Sequence, residues 1–275
     1  MRIYPIKTGF FSTDGAAMFG ILPRKAWSSR YPVDGENRCP LGMRAFLADF
    51  GERKVLFDAG IGTTTVRGME YYRFHDAIDL RSALRRMGFE PETVTDVVLS
   101  HLHFDHCVGA VVQDESGRFL PTFPNAVYWA GSRQRALTFN PSTWEEDSYA
   151  PFVVEALETA GQLRLVSADK ELFPGLRVAL YQGHTDDQLV SFIETQEGVS
   201  VYGGDVVPTS LHVKKLCISA LDNSALVALD EKMRLLNEVV ERDARLLLYH
   251  DTQTMAVRLK RVNHTISVRE VIVTL

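Results

Sequence analysis

Apolar and polar positions along the chain alternate mostly in short runs, interrupted by a few segments of helical period. Two apolar-rich runs, residues 43–50 and 54–57, flank Gly51 and Glu52, which predicts a hairpin. Residues 1–7 read as a further short strand, and residues 10–32 hold many large apolar side chains among Gly and Pro with no clear period. Leu80, Leu84 and Met87 recur at helical spacing before Gly88, and predict a helix over 79–87 that leads into an apolar strand at 97–99. A strand is predicted at 126–130 and a helix at 145–159, the latter with Phe152, Val153 and Leu157 on one face. Short strands at 163–166, 177–181, 189–193 and 200–202 then read as the second half of a layered sheet. Leu226, Leu229, Met233, Leu236 and Val240 mark a well-defined helix, followed by a buried strand at 245–249, a final helix at 255–262 and an edge strand at 268–273. Strands and helices alternating with short joints predict an α/β fold.

Composition narrows the class. The 275 residues are 45% apolar and 24% charged, ordinary for a globular chain that buries a sizeable core. We read one domain over 1–275, with residues 1–42 as an N-terminal arm or loop packed on it. That arm would either wall the mouth of a site or dock on a second copy as a homodimer. The net charge of −5 and the absence of a Lys/Arg run argue against a nucleic-acid partner. The N-terminus lacks the pattern of a signal peptide, and no apolar run approaches the roughly 20 residues that span a bilayer, so a cytoplasmic protein with no membrane partner is expected. Cys39, Cys107 and Cys217 suggest no disulfide framework, and Cys107 reads as a small packed hydrophobe.

The candidate chemistry is concentrated at Ser100-His101-Leu102-His103-Phe104-Asp105-His106, which follows the strand at 97–99. His101 and His103 are spaced to share a face, and after a turn Asp105 and His106 can swing toward it. Three imidazoles and a carboxylate are donors that suit zinc and other borderline first-row metals, and they would be costly to desolvate without a partner. His184, Asp205 and His250 each follow another predicted strand, where open sheets gather functional groups. His212 stands seven residues beyond Asp205 and has both a structural reading and a pocket-lining one.

This series of motifs resembles the metallo-β-lactamase superfamily of metallohydrolases over residues 50–250. With Phe104 inside the first motif and Asp251 directly after the last His, it is most similar to the N-acyl homoserine lactonase and methyl parathion hydrolase type. The resemblance implies a four-layer αββα sandwich holding two divalent metal ions. His101, His103 and His184 would serve one ion, Asp105, His106 and His250 the other, and Asp205 would bridge. Zinc is the first choice of metal, and iron and manganese suit the same donors. Asp58, in Asp58-Ala59-Gly60, would orient ligands from behind. The implied activity is hydrolysis of a small-molecule ester, lactone or organophosphate by hydroxide held between the ions, with Asp105, Asp205 and His212 as the candidate catalytic residues. One departure concerns substrate: lactonases of this type carry a Tyr three residues beyond the bridging Asp, where this chain has Pro208. His212 could donate to an oxyanion in its place. The alternatives are a thioester hydrolase of the glyoxalase II kind and a ligand-binding member of the fold without turnover.

Overall fold

A computed structural model describes residues 1–64 and 69–274. Among these, a six-stranded sheet runs in the spatial order Arg2–Asp14, Arg38–Asp49, Lys54–Phe57, Asp96–Val98, Val127–Gly131, Leu163–Val166. Its first two pairings are antiparallel and the other three parallel. A seven-stranded sheet has the order Thr265–Ile272, Ala256–Val262, Arg245–Leu247, Gly198–Tyr202, Gln188–Thr195, Leu176–Tyr181, Lys170–Phe173. There only the pairing of Gly198–Tyr202 with Arg245–Leu247 is parallel.

The alternation of side chains along these strands builds the layers. Tyr202, Leu247 and Tyr249 belong to the core shared by the two sheets, and Tyr202 meets Phe46 and Phe57 of the first sheet at 5.6 and 6.0 Å between ring centroids. Their neighbours Val201, Leu246 and Leu248 point the other way, onto Leu235, Leu236 and Val239 of the helix Ala225–Glu241. The first sheet is covered in turn by Leu80–Arg86 and Pro151–Thr159, whose Leu80, Leu84, Val153, Val154 and Leu157 are buried. The result is an α/β arrangement of helix, sheet, sheet, helix, with two mixed sheets. Among the described residues no helix is long and apolar enough to cross a membrane.

Four segments differ from their sequence reading. Residues Arg2–Asp14 form one continuous strand rather than a short strand and an arm, because a bulge between Lys7 and Gly9, where Gly9 has φ +142°, breaks the apolar alternation without ending the pairing. The large apolar residues that follow, Phe19, Trp27 and Tyr31, are buried within this chain. Leu163–Val166 joins the first sheet, parallel to Val127–Gly131, not the second. The predicted last helix is instead the strand Ala256–Val262, which turns at Asn263 (φ +54°) and pairs with Thr265–Ile272. Val257 and Leu259 are buried there while Lys260 is exposed, a period of two that the apolar count alone did not separate from a helical one. Finally, helix begins at Pro151 and not at residue 145, since Tyr149 is drawn into a bridge with His103 and Pro at the first helical position needs no N–H partner.

Candidate metal centre

The strand Asp96–Val98 delivers the first motif to the cleft between the sheets, and the short helix Phe104–Cys107 turns it back. The return is tight because Gly109 lies against Ala59: a Cβ there would stand 2.2 Å from the Ala59 carbonyl oxygen. Backbone bonds from Ala59 N–H to His106 O (2.8 Å) and from Gly109 N–H to Gly60 O (2.8 Å) dock the loop of Asp58 onto the motif. His101, His103, Asp105 and His106 are thereby gathered and buried.

The three remote candidates arrive at the same place. His184 follows Leu176–Tyr181, Asp205 sits in the turn Gly204–Val206 after Gly198–Tyr202, and His250 comes shortly after Arg245–Leu247. Donor atoms of three groups lie within 4.8 Å of one another: His101, His103 and His184; His101, His106 and Asp205; Asp105, His106 and His250. His103 Nδ1 is 3.3 Å from His184 Nε2. Asp205 Oδ2 is 3.5 Å from His184 Nε2, while its Oδ1 is 3.4 Å from His106 Nε2 and 3.3 Å from His250 Nε2. Asp105 Oδ2 is 3.6 Å from His106 Nε2 and 3.5 Å from His250 Nε2. Asp205 thus turns one oxygen to each half of the cluster.

Each imidazole is oriented by a partner on its other nitrogen. His101 Nδ1 donates to Ser100 Oγ (3.0 Å), whose hydroxyl donates to Asp58 Oδ2 (2.6 Å). His106 Nδ1 donates to the same Asp58 Oδ2 (2.6 Å), which also accepts from the Tyr202 hydroxyl. His250 Nδ1 donates to Gly42 O (2.8 Å) and His184 Nδ1 to Asp222 Oδ1 (2.8 Å). His103 differs, pointing Nε2 at Glu145 Oε1 (3.4 Å) and leaving Nδ1 inward. With the N–H groups turned outward, five imidazole lone pairs and two carboxylates converge. His101 Nε2, His106 Nε2 and Asp205 Oδ1 are buried without any hydrogen-bond partner.

That arrangement fits divalent metal. Donors about 2.0–2.1 Å from a tetrahedral ion stand roughly 3.3–3.4 Å apart, close to the 3.3–3.6 Å of the pairs above, and orphaned buried nitrogens are costly unless an ion uses them. The electrostatics are divided accordingly. Burial pushes the His101 imidazole well below its ordinary pKa, with the rings of His106, His103 and His184 adding to it, and burial lowers His103 too. For His106, burial is overridden by the Asp105, Asp205 and Asp58 carboxylates, which hold it well above. For Asp205, burial is overridden by His250 and His106, which hold it well below the carboxylate range.

His212 is placed differently from its reading as a catalytic donor. It is buried behind the cluster, where Nε2 donates to Met18 O (3.0 Å) and Nδ1 accepts from the Thr209 hydroxyl (2.7 Å), so neither nitrogen is free for a substrate. Burial, which dominates over the bond to Met18, brings its pKa to about 3. Asp251 likewise holds loops together, accepting from Ser210 N–H (2.9 Å) and hydroxyl (2.6 Å) and from Thr254 N–H (2.8 Å). Glu145 and Asp222, which touch two of the rings, were not found from the sequence: each stands in an irregular segment, far along the chain from the ring it meets, with no motif around it. Hydrogen bonds from His103, Thr185 and Asn223 overcome burial and hold the Glu145 carboxyl at about 2.

The cluster opens into a cleft of about 290 Å³ walled by Phe11, Met18, Leu41, Tyr72, Phe104, Trp144, Pro208 and Leu221. Among the described residues lining it there is no Lys or Arg.

Fold and cluster together define a metallohydrolase-type scaffold, and a family comparison makes it specific. The chain belongs to the metallo-beta-lactamase superfamily, whose model matches residues 44–240. It is similar to an N-acyl homoserine lactonase from Bacillus sp, 26% identical over 163 residues, covering 55% of this chain and 58% of that protein. It is also similar to the N-acyl homoserine lactonase AiiA of Bacillus thuringiensis subsp. kurstaki, 25% identical over 167 residues, 57% of this chain and 60% of that one. The chain therefore spans about three fifths of the length of these curated relatives. Among solved structures, a probable metal-dependent hydrolase from Staphylococcus aureus superposes with a TM-score of 0.89 at 24% identity, covering 99% of this chain and 96% of that one. AidC, a dizinc quorum-quenching lactonase, superposes with a TM-score of 0.74 at 16% identity, covering 97% and 92%. At these identities the superpositions establish the shared fold.

Proposed function

We propose that the protein is a metal-dependent hydrolase that cleaves a lactone, carboxyl ester or organophosphate bond in a small molecule with an apolar substituent. His101, His103 and His184 would hold one divalent ion, Asp105, His106 and His250 a second, and Asp205 would stand between them, with zinc the first candidate. The observation that carries this reading is the set of buried, unpartnered atoms His101 Nε2, His106 Nε2 and Asp205 Oδ1, beneath an open cleft lined by Asp205, His103, Asp105, His184 and His250. Divalent ions in such a setting supply Lewis acidity at a carbonyl or phosphoryl oxygen and a water pKa lowered toward 7.

The chain's own residues do the rest. Asp58, Ser100, Asp222, Glu145 and the Gly42 carbonyl hold the five rings with their lone pairs inward before any substrate arrives, so no reorganisation is needed on binding. Asp205, one oxygen toward each half, is placed to take up a proton and pass it to a leaving group. Phe11, Met18, Phe104 and Trp144 line an apolar wall that orients the substituent and keeps water from it. Lining residues that, among those described, include no Lys or Arg favour neutral esters over the anionic tripeptide thioesters that glyoxalase II enzymes hydrolyse, which sets that alternative second.

The test is metal analysis of the purified protein followed by a screen of lactones, aryl esters, thioesters and phosphotriesters, with a chelator and His103→Ala as controls. Two ions per chain and turnover lost in both controls are the expected results. Turnover that persists after complete metal removal would refute the reading.

A further inference from the structure

We propose that Glu145 is a positioning residue through which loading of the His101/His103/His184 half of the centre and the shape of the cleft mouth control each other. The inference rests on reading that half as a metal site, and adds a coupling to it. Glu145 is 2% exposed, while its neighbour Trp144 is 66% exposed on the rim of the cleft. One oxygen of the Glu145 carboxylate receives the Thr185 hydroxyl (2.6 Å), the Tyr149 hydroxyl (2.9 Å) and His103 Nε2 (3.4 Å). Thr185 directly follows His184, so a single carboxylate touches one ring of this half and the residue beside another. The same segment is pinned to the motif by its backbone, with Phe104 N–H donating to Ser148 O at 2.8 Å and a bridge pairing His103 with Tyr149.

The direction of the coupling follows from the ring. For His103 to offer a lone pair at Nδ1 its proton must sit on Nε2, facing Glu145; the other tautomer would set a lone pair against the carboxylate. An ion on Nδ1 therefore selects the ring state that holds Glu145, and Glu145 holds Trp144 at the mouth. By linkage, a molecule that binds against Trp144 changes the affinity for the ion by the same factor that the ion changes its own.

The experiment is zinc titration of the chelator-stripped full chain, followed by calorimetry and by tryptophan emission, with Trp144→Phe to separate Trp144 from the two other tryptophans. In the wild type the Trp144 emission is expected to move as zinc loads. Glu145→Ala should weaken one of the two zinc sites by about 10- to 100-fold and abolish the emission change, and Glu145→Gln, which keeps an acceptor, should restore part of both. Circular dichroism checks folding; if Glu145→Ala does not fold, Glu145→Gln and Tyr149→Phe carry the test through intermediate losses of the same two signals. Wild-type zinc affinity with an unchanged Trp144 response in a folded Glu145 variant overturns the proposal, as does a wild-type emission that stays still while zinc binds. A wild type that binds no zinc at all instead removes the metal reading itself.

Discussion

The two halves of the cluster, three histidines in one and two histidines with Asp105 in the other, are supported in different ways. His106 and His250 are braced from inside the sandwich. Asp58, fully buried, ties His106 to Ser100 and Tyr202, Tyr249 stacks on His106 at 4.0 Å, and the Gly42 carbonyl receives His250. Behind them the buried Arg44 clamps the backbone oxygens of Leu248 (2.6 Å) and Asp251 (2.8 Å) on either side of that ring. His103 and His184 are braced from the rim instead: Glu145 follows the exposed Trp144, and Asp222 follows the half-exposed Leu221. One half is thus anchored to the sheets, which are rigid because they are packed, while in the other only His101 shares that anchor, through Ser100 and Asp58, and His103 and His184 are held by surface segments that also shape the cleft.

The largest disruption should come from the residue shared by both halves. Asp205→Ala removes the carboxylate that faces His106, His184 and His250, and should reduce turnover to background and cut bound metal below one ion per chain, measured by elemental analysis. Next, Asp58→Ala leaves His106, Ser100 and Tyr202 without their buried acceptor. A loss of about 3–5 kcal/mol in stability is expected, read from denaturant unfolding, because breaking a buried charged network strands its partners. Asp222→Ala should separate the two halves: metal affinity at one site falls by about 10- to 100-fold, while unfolding changes by less than for Asp58→Ala, since the lost contact lies at the rim. If both variants destabilise equally, the contrast between a core-braced and a rim-braced half is wrong.

The smallest effect on turnover is expected at His212. With both nitrogens engaged behind the cluster, His212→Gln should change kcat by less than about 10-fold, against the 10²–10³ that loss of an oxyanion donor costs. Its signature is in pH instead. The folded pKa of about 3 lies below the ordinary histidine value, so its contribution to stability is complete above about 6.5 and is lost as pH falls toward 3. The slope from this one group is at most about 1.4 kcal/mol per pH unit, and unfolding of His212→Gln followed across that window should lack it.

Much of this was legible beforehand because the first motif is local. Four donor side chains within six residues at a strand end have little other use, and the Gly-His, Gly-Gly-Asp and Tyr-His positions stand out because each follows an apolar strand. The helix at Ala225–Glu241 was equally plain, having seventeen residues over which a period can declare itself. Ala256–Val262 reads as a helix because seven residues hold too few repeats to tell a two-residue period from a longer one. Arg2–Asp14 reads as a shorter strand because its bulge resets the apolar alternation without ending the pairing.

By itself the amino-acid order determined the layered α/β class and singled out seven His and Asp side chains that the fold gathers, since both rest on periodicity and on chemistry placed at strand ends. Only the folded chain decided that His103 presents Nδ1 while four other rings present Nε2, that Glu145 and Asp222 hold two of the rings of one half, and that His212 faces away. Those outcomes depend on contacts between residues tens to hundreds of positions apart, such as His103 with Glu145 and His250 with Gly42, whose pairing is set by how the sheets stack and leaves no trace in local sequence.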